Sequence, residues 1–148
     1  KKSNEIIGIY IDGGVGRGKS MMMDLFFHQA QIKDKRRLHF HDFMKEVHQR
    51  ILEKRKIEKN KDTVLLVGQD LAKNAKLLCF DEMEVKDIAD AMIVSRLFEV
   101  MFEQGTILVT TSNQPPDGLY KDGLHRDRIL PFIKNLKLKT DVVKIPEG

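Results

Sequence analysis

The sequence predicts an α/β domain built on a mainly parallel sheet, and three observations lead to it. Short apolar runs alternate with longer stretches of helical periodicity along the whole chain. Such runs suit strands buried on both faces, as strands of a parallel sheet are. The runs also end in polar residues, and a glycine-rich loop joins the first run to the first helical stretch. In sheets of this kind ligands collect at the carboxyl ends of the strands.

Residues 6–11 form the first run and end in Asp12-Gly13-Gly14, a buried strand feeding a loop. Residues 19–30 carry Met21, Met22, Met23, Leu25, Phe26 and Phe27. That density predicts a helix packed on the sheet, with the methionines and phenylalanines in the core rather than around a cofactor. Residues 38–40 read as a second short strand. Asp42 then stands where it can cap a helix with the stripe Phe43, Met44, Val47 and Ile51. The run 53–61 (EKRKIEKNK) reads as the solvated end of that helix and the loop beyond it.

Residues 63–73 make a further helix, and 76–80 a buried strand ending at Asp81-Glu82. Residues 85–102 are apolar on most of a helical surface, so this helix should be deeply packed. Residues 106–111 form a strand ending in Ser112-Asn113, after which Pro115-Pro116-Asp117-Gly118 breaks the chain. A helix begins near Arg128 and takes Pro131 in its first turn, where no N–H is lost from the ladder. Residues 140–145 are the last strand. The chain shows no internal repeat and no low-complexity tract.

The 148 residues suffice for one domain with a core, here assigned to 1–148. The charged fraction of 32% is above average and the apolar fraction of 41% is modest, which describes a well-solvated domain. No apolar run approaches the roughly 20 residues that span a bilayer. The net charge of +4 is mild, and a nucleic-acid domain would show a denser basic patch. The single cysteine, Cys79, excludes an internal disulfide and fits a reducing compartment. Within its apolar strand Cys79 reads as buried filler rather than a reactive thiol. The chain starts at Lys1 without an initiator Met, which suggests a fragment.

Gly13-Gly14-Val15-Gly16-Arg17-Gly18-Lys19-Ser20 matches the phosphate-binding pattern G-x-x-x-x-G-K-[ST], with a strand before it and a helix after it. The glycines let backbone N–H groups turn inward around a triphosphate. Lys19 brings a cation to the outer phosphates, and Ser20 a hydroxyl ligand to Mg²⁺. The following helix points its positive end at the same anion. The strand Leu77-Leu78-Cys79-Phe80 ends in two acids. Asp81 can hold Mg²⁺ through its water shell, with Ser20 as the other protein ligand, and Glu82 can act as general base on the attacking water. These residues together predict a P-loop NTPase that uses ATP and Mg²⁺.

Three further sets of residues are candidates. Asn113 stands where a side chain can hold the attacking water, or where an Asn simply forms the turn before Pro115. Arg126 and Arg128 stand where an arginine reaching a neighbouring subunit's ATP would arise, or are a solvent-facing pair. His39 and His41 flank Phe40 and fall on one side if the chain is extended there. Further metal ligands to accompany them are not apparent, so structural roles or a relay to the γ-phosphate are expected.

The segments GGVGRGKS, LHFHDFM, LLCFDE and TSNQPPDGLYKDGLHRDRILPFI resemble the ZapE-type, AFG-one-like branch of the AAA+ ATPases over nearly the whole chain. The first is common to many NTPases, whereas the second and the last are particular to this family. The resemblance implies a five-stranded parallel sheet in the order 5-1-4-3-2, flanked by helices. It makes Asn113 a sensor-1 residue, and it implies ATP hydrolysis between subunits of a homo-oligomeric ring. It also implies a protein client, which in bacteria is the division-ring polymer and in mitochondria belongs to protein quality control. A whole family member has a segment before the equivalent of Lys1 and, after that of Gly148, a helical lid with a sensor-2 arginine. A helicase-loader-like ATPase acting on nucleic acid is the alternative. A small-molecule kinase fits Asp81-Glu82 with Asn113 less well than hydrolysis does, and a non-hydrolysing scaffold fits Glu82 poorly.

Overall fold

The computed structural model describes residues 7–14, 18–59 and 61–146. Among them are five strands, β1 (Gly8–Asp12), β2 (Lys35–His39), β3 (Leu77–Asp81), β4 (Ile107–Ser112) and β5 (Asp141–Lys144). All pairs are parallel and the order is β2-β3-β4-β1-β5, which is the 5-1-4-3-2 sheet expected. The helices are α1 (Gly18–Gln29), α2 (Phe40–Ile57), α3 (Thr63–Asn74), α4 (Ile88–Glu103) and α5 (Leu130–Lys139). Among the described residues no helix is long and apolar enough to cross a membrane.

Alternation along the strands sorts the core into two clusters. Tyr10, Leu78, Phe80 and Leu108 face α2, α3, α4 and α5, while Ile11, Leu77, Cys79 and Val109 face α1. The larger cluster centres on Phe98 of α4, whose ring lies 5.2 Å from Phe132, 5.9 Å from Phe80 and 6.4 Å from Phe40. Such pairs add about 0.5–1.5 kcal/mol each beyond their area burial. Helix α4 is therefore anchored as deeply as its composition predicts. The side chains of Asp62 and Asp87 accept N–H bonds from Leu65 and Asp90 and so cap α3 and α4.

Four local expectations are corrected. The second strand covers Lys35–His39 rather than 38–40, because β2 lies at the sheet edge, where cationic side chains are tolerated. Asp42 does not cap α2: the chain turns helical directly after His39, and Asp42 sits in the first turn, where its charge still favours the helix dipole. Helix α4 starts at Ile88, because Asp87 supplies the cap and Val85 belongs to the loop before it. Met21, Met22 and Leu25 are 66%, 42% and 62% exposed, so they are not core. Helical residues of the smaller cluster come from α1 alone, and only Met23 of its methionines points at the sheet.

The remaining elements fall where expected. Residues 53–57 of the charged run end α2 and residues 58, 59 and 61 follow it, with Lys54 3.2 Å from Asp70 of α3. Pro131 occupies the first turn of α5. Cys79 is fully buried, and burial pushes its thiol pKa up to about 12, so at neutral pH it is protonated filler.

Candidate functional site

The carboxyl ends of β3 and β4 and the start of α1 meet around a cleft of about 370 Å³. Lys19 and Ser20 come from α1, Asp81 and Glu82 from the end of β3, and Thr111 and Asn113 from the end of β4; Arg37 and His39 of β2 complete the lining. Period-two alternation explains the grouping. Asp81 and Thr111 follow Cys79 and Val109 at a spacing of two, so they share the α1 side of the sheet. Val15, Gly16 and Arg17 lie outside the described residues.

Lys19 is 7% exposed and its ammonium is satisfied within the loop. It donates to the carbonyl of Gly13 at 2.9 Å and to that of Gly14. An unpartnered buried ammonium would be strongly unfavourable, so these two bonds hold the cation at the mouth of the loop. Gly13 allows the arrangement: a Cβ there would stand 3.2 Å from the Ile145 carbonyl and 3.7 Å from Lys19 Cδ. Gly18 opens α1, and Ser20 follows in its first turn with its side chain exposed.

Asp81 is held by Arg37. The guanidinium donates through Nε to Oδ2 at 2.8 Å and through Nη2 to Oδ1 at 3.0 Å, and its Nη1 reaches Asp24 of α1. The hydrogen bond to Asp81 is the main cause raising the Arg37 pKa above its ordinary value, so the guanidinium keeps its charge. The neighbouring Arg36 points to the other face and forks onto Glu46 of α2, with bonds of 3.1 and 2.8 Å. Lys35, on the Arg37 side, donates to the carbonyls of Phe27 in the last turn of α1 at 2.5 Å and of Ala30 just beyond it at 3.2 Å. The charged strand KRRLH thus anchors α1 and orients Asp81 at once.

Glu82 departs from the sheet with φ of 57°, in the left-handed region that non-glycine residues avoid. Such a conformation costs about 1–3 kcal/mol and persists where its surroundings over-determine it. Its N–H donates to Thr111 Oγ1 at 3.0 Å, the next N–H, of Met83, donates to the Thr111 carbonyl at 2.8 Å, and Ser112 Oγ donates to the Met83 carbonyl at 2.8 Å. The carboxylate is 66% exposed, with Oε2 3.2 Å from His39 Nε2. Past Asn113 the chain is held by Tyr10, whose buried hydroxyl donates to the Gln114 carbonyl at 2.6 Å. Burial raises the Tyr10 pKa, so the donor stays protonated.

The donor chemistry fits Mg²⁺. Ser20 and Asp81 present oxygens to one cleft, which suits a hard cation. Asp81 already accepts two guanidinium bonds, so its remaining lone pairs would suit a metal-bound water better than the metal itself.

Arg126 and Arg128 lie outside this cleft's lining. Arg126 is occupied: Nε and Nη2 donate to the Leu119 carbonyl at 3.2 and 3.1 Å, and Nη2 to that of Asp117 at 2.5 Å. Arg128 has an exposed side chain, while its carbonyl accepts from Ser95 Oγ at 2.8 Å. His39 and His41 do not share one side of a strand, because Phe40 and His41 already belong to α2. His41 instead lines a small recess with His48 and Asp90, which pair at 2.7 Å. Sequence reasoning missed Arg37, Thr111 and the contact of His39 with Glu82. Reading KRRLH as a strand would have put Arg37 and His39 on one face.

Beside the cleft lies a second one of about 400 Å³, walled in part by Met83, Val85, Leu119 and Tyr120. Glu82 and Asn113 line both.

Comparison with known proteins agrees with this architecture. The chain is 46% identical over 149 residues to lactation elevated protein 1 homolog B of Danio rerio, covering 95% of this chain and 30% of that protein. It is 42% identical over 147 residues to cell division protein ZapE of Escherichia coli K12, covering 99% of this chain and 38% of that protein. It therefore spans well under half the length of either relative. Among solved structures, domain III of the Thermotoga maritima replication initiation protein DnaA superposes with a TM-score of 0.62 at 15% identity, over 94% of this chain and 54% of that one. The DnaC helicase loader gives 0.59 at 15% identity, over 94% and 78%. Identities this low speak to the fold alone. The profile of the family described as AFG1-like ATPase matches residues 1–148 in full, and with the two sequence relatives it establishes that this chain belongs to the AFG1-like ATPase family.

Proposed function

We propose that the chain is the nucleotide-binding subdomain of a motor that binds ATP with Mg²⁺, hydrolyses it to ADP and phosphate, and uses the cycle to remodel a protein partner. The observation that carries this reading is the convergence of Lys19, Ser20, Asp81, Glu82 and Asn113 on one cleft at the carboxyl edge of the sheet. On binding, the Lys19 ammonium exchanges the Gly13 and Gly14 carbonyls for outer phosphate oxygens. Glu82 takes the proton of the attacking water, and the Asn113 amide orients that water. Ser20 and, through water, Asp81 would hold a Mg²⁺ ion, which when bound would neutralise charge on the phosphates.

Chelation tests the metal. Excess EDTA should lower phosphate release by the full-length protein roughly 100-fold or more, with recovery on adding Mg²⁺. Turnover indifferent to chelation would overturn the metal reading, and transfer of the phosphoryl group to an organic acceptor would overturn hydrolysis itself.

Family membership suggests a homo-oligomeric ring, and the exposed Arg128 is then the candidate to reach a neighbour's γ-phosphate, because Arg126 is bound to its own chain. Mixing an Arg128→Ala protein with a Lys19→Ala protein should restore part of the activity, since each supplies what the other lacks. A mixture no more active than its parts would remove Arg128 from that role. The kinship with ZapE suggests a cell-division client for a bacterial source, with the cytoplasm as its compartment; for a eukaryotic source the mitochondrion rests on the family resemblance alone.

A further inference from the structure

We propose that Thr111 is a positioning residue for hydrolysis, acting through the backbone of Glu82; this rests on Glu82 being the general base. Regular pairing of β3 with β4 ends at Phe80 opposite Thr110. One residue further along β4, the Thr111 side chain takes over from the ladder. Its hydroxyl oxygen accepts the Glu82 N–H at 3.0 Å, and its carbonyl accepts the Met83 N–H at 2.8 Å. Between these two bonds Glu82 is held at φ of 57°, a conformation the residue would otherwise leave. Thr111 is buried at 3% exposure, so water offers little replacement for the lost acceptor.

The backbone angle sets where the Glu82 carboxylate points. Glu82 lines both neighbouring clefts, so a rotation about its backbone would swing the carboxylate from one toward the other. Thr111 therefore acts on the placement of the base and leaves the phosphate contacts of Lys19 untouched.

Thr111→Val keeps the branching that suits a strand and removes the hydroxyl, whereas Thr111→Ser keeps the hydroxyl. In the full-length protein Thr111→Val should lower kcat by about 10- to 100-fold, the scale of a misplaced catalytic group. ATP affinity should stay within about twofold and Thr111→Ser should retain most of the turnover, because the bonds at stake run from Thr111 to the backbone of Glu82 and Met83. Adding Thr111→Val to Glu82→Gln should cost little more, because the two act as one unit. The proposal is overturned if Thr111→Val turns over normally while Glu82→Gln is inactive, if affinity falls in step with kcat, or if Thr111→Ser behaves as Thr111→Val. If Glu82→Gln itself keeps normal turnover, the base assignment fails first and this proposal falls with it.

Discussion

Glu82→Gln is expected to leave ATP binding intact and to lower hydrolysis by roughly 10²- to 10⁴-fold, the usual contribution of a positioned general base. The amide has the shape of the carboxylate but takes no proton from water. Glu82 makes its described contacts with Thr111 and His39, and neither belongs to the phosphate loop. Nucleotide affinity should therefore survive the change. The carboxylate is largely exposed, so the substitution should fold without difficulty. Single-turnover phosphate release alongside a binding titration separates the two effects. Turnover at the wild-type rate would remove Glu82 as the base.

Lys19→Ala should act at the opposite step. On the proposed reading the ammonium brings a full positive charge to the phosphates, and in the free protein it is already held by the carbonyls of Gly13 and Gly14. Hydrogen bonds to charged groups contribute about 1.5–3 kcal/mol each, so losing two weakens ATP binding by roughly 3–6 kcal/mol, or about 10²- to 10⁴-fold. Turnover vanishes at ordinary ATP concentrations. The substitution also removes two internal bonds of the free protein, so a melting curve without nucleotide should accompany the titration. An affinity within a few-fold of the parent would contradict the role given to Lys19.

Much of the architecture could be read from residue order. Buried parallel strands such as LLCFD announce themselves by continuous apolar runs, and the phosphate loop by glycine spacing. Misreadings arose where tertiary context decides. KRRLH does not look like a strand until its edge position is known, and that position depends on β3 lying beside it. Met21, Met22 and Leu25 look like core because nothing local says that α1 meets the sheet along a narrow line. The candidate site divides in the same way. Lys19, Ser20, Asp81 and Asn113 are legible from motifs, whereas Arg37 and Thr111 matter through partners 44 and 29 residues away. The separation of Arg126 from Arg128 likewise needed the loop carbonyls that Arg126 binds.

Hydrolysis as proposed depends on Ser20 and Asp81 serving one cation beside the phosphates. A crystal structure of the full-length protein with Mg²⁺ and a non-hydrolysable ATP analogue tests this most directly. The expected result is a metal about 2.1 Å from Ser20 Oγ, a metal-bound water on Asp81, and Lys19 Nζ on the outer phosphates. Nucleotide seated in the neighbouring cleft of about 400 Å³, or a metal without Ser20 in its coordination, would contradict it.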